Sequence, residues 1–160
     1  MITTYEGRYK QGIIDLVLGV QNDEYKLGIS IEEQNDILDI PNCYLKSGGE
    51  FWIAVDQKDR VIGSIGLMKK TNEVFILKKF FVYSEYRGKE LGIGKALFEI
   101  LIKFAKQQGG RTVLLDTPSS ADRSHQFYRK NGFKEITKAE LPVTYEYPDR
   151  NSLLFRLDLS

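Results

Sequence analysis

The chain has 160 residues, of which 28 % are charged and 42 % hydrophobic, and a formal net charge of +1. That length supports a hydrophobic core without disulfide or metal staples, and the composition excludes fibrous and disordered classes. The near-neutral charge offers no basic surface for nucleic acid, no apolar run approaches the roughly 20 residues of a bilayer span, and no basic-then-apolar leader opens the sequence. The expectation is one domain over residues 1–160, cytoplasmic, with neither a nucleic-acid nor a membrane partner. The single cysteine, Cys43, can make no internal disulfide and fits a reducing compartment.

In chain order, Ile13, Ile14, Leu16, Val17 and Val20 form a helical stripe between Tyr9 and about Gln21. Ser30 and Glu33 have capping-box spacing ahead of Ile37, Leu38 and Ile40, and Pro41 is expected to end or kink that segment. Phe51–Val55 and Val61–Met68 read as two strands joined across the polar turn Asp56–Arg60. Val74–Val82 is a third apolar run, interrupted by Lys78 and Lys79. Strict alternation along a strand would put these adjacent lysines on opposite faces, one of them reaching solvent by its long stem.

The stretch that organises the rest follows at once: Phe80–Leu97, FFVYSEYRGKELGIGKAL. A strand runs into a loop carrying Arg87, Gly88, Lys89, Gly92 and Gly94, and the loop opens into an amphipathic helix. Leu97, Ile100, Leu101 and Phe104 fall on one side of that helix; Lys95, Glu99, Lys103 and Lys106 fall on the other. The first N–H groups of a helix have no partner within it, and its dipole leaves positive charge there. With glycines for close approach and Arg87, Lys89 and Lys95 for charge, the device points to a phosphate or pyrophosphate. A nucleotide P-loop does not fit, because five residues separate Gly88 from Gly94 and Ala96 stands where a magnesium-binding hydroxyl is needed. A dinucleotide fingerprint would need glycine at Leu97.

Downstream, Val113-Leu114-Leu115 reads as a short buried strand. Pro118 and Ser119-Ser120 break the chain, and Ser119 with Asp122 has the spacing of a helix cap. A helix then ends in Phe127-Tyr128-Arg129-Lys130-Asn131-Gly132-Phe133, with Gly132 as its stop. Lys134–Thr137 and Leu153–Leu159 are the last expected strands, separated by a loop that Pro142 and Pro148 make irregular. This order of elements indicates a mixed α/β sheet with helices on both faces.

Two motifs in this order resemble those of the GCN5-related N-acetyltransferase (GNAT) superfamily. Its motif A, [Arg/Gln]-x-x-Gly-x-[Gly/Ala] after an apolar-aromatic-Val strand end, is similar to Phe80-Phe81-Val82 followed by Gly92-Ile93-Gly94. Counting back from the glycines puts the Arg/Gln position at Lys89; counting forward from the strand puts it at Arg87. The loop is two residues longer than usual, and both registers stay open. Motif B, Tyr-x-x-x-Gly-Phe, is matched by Tyr128, Gly132 and Phe133.

The resemblance implies a GNAT-type, mostly antiparallel mixed sheet and acetyl-CoA as metal-free co-substrate. Its cofactor-binding residues would be Phe80, Phe81, Val82, Arg87, Gly88, Lys89, Gly92, Ile93, Gly94 and Lys95. A small-molecule or peptide amine would attack the thioester directly, with Tyr128 as the acid for the leaving thiolate. The strand carboxylate that some members use as base falls at Ile76 here, leaving Glu73, His125 or ordered water. The region Tyr9–Gly49 and the loop Leu141–Asn151 would border the acceptor. A catalytically silent acyl-CoA-binding module is the alternative, and a homodimer is left open.

Overall fold

The computed structural model describes residues 1–159. Seven strands form one sheet in the order β1-β2-β3-β4-β5-β7-β6, with β1 Ile2–Thr4, β2 Glu50–Val55, β3 Val61–Lys69, β4 Val74–Val82, β5 Thr112–Thr117, β6 Lys134–Ile136 and β7 Leu153–Asp158. All neighbours are antiparallel except β4 and β5. That parallel pair needs a crossover, supplied by helix α2, Ile93–Gln107. Helix α1, Lys10–Leu18, precedes the sheet's central strands, and α3, Asp122–Lys130, follows β5.

Alternation along β2 shows how the faces are divided. Phe51, Ile53 and Val55 pack with Ile13, Leu16 and Val17 of α1 on one side. Trp52 and Ala54 pack with Leu97, Leu101 and Ala105 of α2 and Tyr128 of α3 on the other. Helices therefore cover both faces. Gly66 in β3 is required by this packing, since a Cβ there would meet the Tyr44 and Phe51 rings at 2.8 Å. Phe155 of β7 is fully buried beneath Tyr128, ring centroids 6.0 Å apart. Phe155→Ala is expected to cost about 3–5 kcal/mol in a denaturant-unfolding measurement.

The Ser30–Glu33 capping box is present as expected, whereas the local helix types and the roles of Pro41 and Ser119 differ from expectation. The segment after α1 is π-helical over Gly19–Glu24, and the Ser30–Glu33 box caps a 3-10 segment, Ile31–Leu38, kinked at Gln34. Pro41 then begins a new turn rather than ending the old one. Ser119 does not cap α3. Ala121 N–H bonds Pro118 O at 3.0 Å, so the chain is still turning there, and Ala121 is the cap residue, with no side-chain cap bond.

Candidate active site

β4 and β5 pair only over Val74–Ile76 and Thr112–Leu114. Beyond that point the two strands run on without pairing and leave a notch. β4 bends here because of a β-bulge: Ser64 faces Phe81 and Gly66 faces Lys78, so Lys79 and Phe80 together oppose Ile65. Lys79 takes a positive φ of 54°, and the Ser64 hydroxyl donates to its carbonyl at 2.7 Å. The bulge resets side-chain alternation. Lys78 and Lys79 therefore line the same cavity instead of opposite faces, and the Lys79 side chain is only 6 % exposed.

That cavity, about 220 Å³, fills the notch. One wall is Leu77–Val82 of β4; another is Asp116, Thr117 and Pro118 at the end of β5. Gly94 of α2 and Phe127 and Tyr128 of α3 close one end, while Tyr25, Leu27, Ile29, Tyr147 and Pro148 close another. The region after α1 and the loop before β7 thus meet at one site. Arg150 ties them together, bonding Glu33 at 2.8 Å and Leu27 O at 3.3 Å.

The helix tip is bare. Gly92 has φ +62° and receives Ala96 N–H at 2.9 Å, while its own N–H reaches Gly88 O at 3.1 Å. Among the described residues the N–H groups of Ile93, Gly94 and Lys95 have no backbone acceptor. Three donors and the positive end of a 15-residue helix therefore open beside Gly94 at the cavity. A Cβ at Gly94 would come no closer than 3.8 Å to anything but its neighbours, so space remains above these amides. Lys89 and Lys95 flank the tip at the surface, Lys95 facing Glu99 at 3.8 Å.

Arg87 is placed differently from Lys89 and Lys95. Its guanidinium makes two bonds to Glu24, at 2.7 and 2.8 Å, and its Nε donates to Val82 O at 2.8 Å. It ties the loop to both the strand end and the segment after α1. The Val82 N–H is also oriented by register. Tyr83 N–H bonds Ile62 O, so at Val82 the antiparallel ladder turns N–H and C=O away from β3 and into the notch.

Tyr128 lies at the cavity between Phe80, Phe133 and Phe155. Its hydroxyl has no hydrogen-bond partner in the protein, yet no fully buried side-chain polar atom among the described residues is unpaired, so the hydroxyl opens on the cavity. Burial pushes its pKa well above the ordinary phenol value, and Asp116 adds to the shift.

Glu73 and His125 are not brought to the cavity. Glu73 precedes β4 at the far end of the strand, 64 % exposed and 3.8 Å from Arg111. His125 faces inward elsewhere: its Nε2 is 2.9 Å from Pro118 O and its ring lies against Phe155. The carboxylate that does reach the cavity, Asp116, escaped the sequence reading. Its signal was an acid closing an otherwise apolar strand, VLLDT. Burial raises the Asp116 pKa above the usual carboxylate value, and Lys78, Lys79 and the Tyr145 hydroxyl, 3.3 Å away, offset this only in part.

The family model for an acetyltransferase (GNAT) domain matches residues 47–135, more than half of the chain and the whole of the notch between β4 and β5. The chain belongs to the GNAT acetyltransferase family. It is 41 % identical to an acetyltransferase of known structure from Streptococcus agalactiae, covering 99 % of this chain and 98 % of that one with a TM-score of 0.95. The PaiA N-acetyltransferase from Thermoplasma acidophilum, solved with coenzyme A, shares the fold at a TM-score of 0.78 and 20 % identity, over 99 % of this chain and 98 % of that one. Human N-acetyltransferase 8B is 28 % identical over 79 % of this chain, but the match spans only 57 % of that protein. The chain thus spans little more than half the length of such curated relatives. Within the GNAT fold the long loop between Val82 and Ile93 keeps both register candidates, with Arg87 at the strand end and Lys89 nearer the helix tip.

Proposed function

We propose that this GNAT protein is an N-acetyltransferase that moves the acetyl group of acetyl-CoA to a primary amine by direct attack in a ternary complex. The observation that carries the reading is the unpaired helix tip at Ile93–Lys95 opening on the same cavity as Tyr128 and Asp116. The tip amides, with Lys89 and Lys95, would hold the pyrophosphate; the free edge of β4 at Phe80–Val82 would pair with the pantetheine arm. When bound, the co-substrate supplies an activated acyl carbon and a thiol leaving group. The chain's own groups do the remainder. The Val82 N–H faces the developing negative oxygen, a contribution of about 3 kcal/mol by comparison with known oxyanion donors. Asp116 takes the proton as the new C–N bond forms, and the Tyr128 hydroxyl donates to sulfur as the C–S bond breaks. Asp116 takes the base role here because Glu73 and His125 lie away from the cavity.

Arg87 is a positioning residue in this scheme, holding the Val82 carbonyl and Glu24 rather than the phosphates. A reducing, cytoplasmic location goes with the lone Cys43. The reading is tested by following free thiol release from acetyl-CoA across a panel of primary amines. Amine-dependent release and an acetylated product are expected. Raised thermal stability with acetyl-CoA but no release with any amine would instead support the silent acyl-CoA-binding module.

A further inference from the structure

Lys78 and Asp116 attract each other at the cavity but form no direct ion pair. Lys79 meets Asp36 at 3.4 Å, and Asp36 also accepts from the Tyr44 hydroxyl, so that lysine is satisfied. Lys78 has no ion-pair partner among the described residues. Its ammonium donates to Glu146 O at 2.9 Å and lies 5.5 Å from the centre of the Tyr145 ring, which leaves two of its three protons for a ligand. Asp116 likewise forms no ion pair and accepts only from the Tyr145 hydroxyl. A charge withdrawn from water is costly unless it is paired; regular alternation from Leu77 turns Lys78 to this side, and the bulge at Lys79 brings the second lysine beside it.

A molecule carrying an amine and a carboxylate a few bonds apart satisfies both groups at once. We propose that the acceptor is a free amino acid with an apolar side chain, its amino group at Asp116 and its carboxylate on Lys78. Tyr25, Leu27, Ile29 and Pro148 give the side chain an apolar wall. Deepening the acetyl-transfer reading on which it rests, this assignment names the substrate class. It makes Lys78 the residue that separates amino acids from simple amines.

The test compares L-phenylalanine and L-leucine with their amides, which keep the amine and lose the charge. Acetyl transfer to the acids is expected to exceed that to the amides by about 10–100-fold in kcat/KM, through KM. Lys78→Met should collapse this ratio towards one, and Lys78→Arg should retain most of it. Equal use of acid and amide by the unaltered protein, or a ratio unchanged in Lys78→Met, would overturn the proposal. Should Lys78→Met fail to fold, the unaltered protein's acid-to-amide ratio alone decides. Calorimetric titration of the same compounds into coenzyme A-loaded protein separates the two readings. Tighter binding of the acids without any transfer leaves the amino-acid assignment standing and removes the transferase reading; equal transfer to acids and amides does the reverse. Absence of both binding and transfer for all four compounds overturns the amino-acid assignment.

Discussion

Asp116→Asn is expected to lower kcat/KM by about 10²–10⁴-fold, the usual contribution of a positioned general base. Asparagine keeps the shape and can still accept the Tyr145 hydroxyl, so the loss isolates proton transfer rather than packing. Acetyl-CoA affinity should change little, because the helix tip and the β4 edge are untouched. The pH profile carries the same signature. Burial raises the Asp116 pKa, and only the ionised carboxylate can take a proton. In the unaltered protein kcat/KM should therefore fall as pH drops through a value higher than that of an ordinary carboxylate. Asp116→Asn should lose this acidic limb. A profile with the limb intact in the variant would assign it to the amine or to another group.

Tyr128→Phe is expected to reduce kcat by about 10²-fold, the lower end for a general acid, because a thiol of pKa near 8.5 is already a fair leaving group. Stability should be unchanged within about 1 kcal/mol, since the lost hydroxyl has no protein partner and the ring keeps its contacts with Phe80, Phe133 and Phe155. The raised pKa has a further consequence. The phenol stays protonated across the working range, so Tyr128 should produce no alkaline limb below the ordinary tyrosine value. A variant with full kcat would show that solvent protonates the thiolate.

Much of this site could be read from the amino-acid order because its signals are local. The strand Val74–Val82, the bare helix start at Ile93 and the stop at Gly132 follow from apolar runs, glycine and helix amphipathicity over short windows. Phe133 N–H reaches back to Tyr128 O at 3.0 Å, the closure expected of a glycine-stopped helix. What stayed hidden depends on partners distant in sequence. The bulge that gathers Lys78 and Lys79 is set by the register of β3 against β4 and by the Ser64 hydroxyl, neither of which alternation in β4 alone can show. The pairing of Arg87 with Glu24 spans 63 residues and leaves no mark in the loop's own sequence. Asp116 becomes a cavity group only where β5 leaves β4 after Leu114, a separation with no mark in either strand. The Ser119–Asp122 spacing misled for a related reason: the turn at Pro118–Ala121 uses up the residues that would have formed the cap.

Coenzyme A is expected to seat its diphosphate on the tip of α2 and to run along the open edge of β4. Backbone amide NMR during a coenzyme A titration reads it directly. The largest shifts are expected at Ile93, Gly94 and Lys95, with a second group at Phe80–Val82. Saturable binding whose largest shifts fall elsewhere, with the amides of Ile93–Lys95 unmoved, would contradict it.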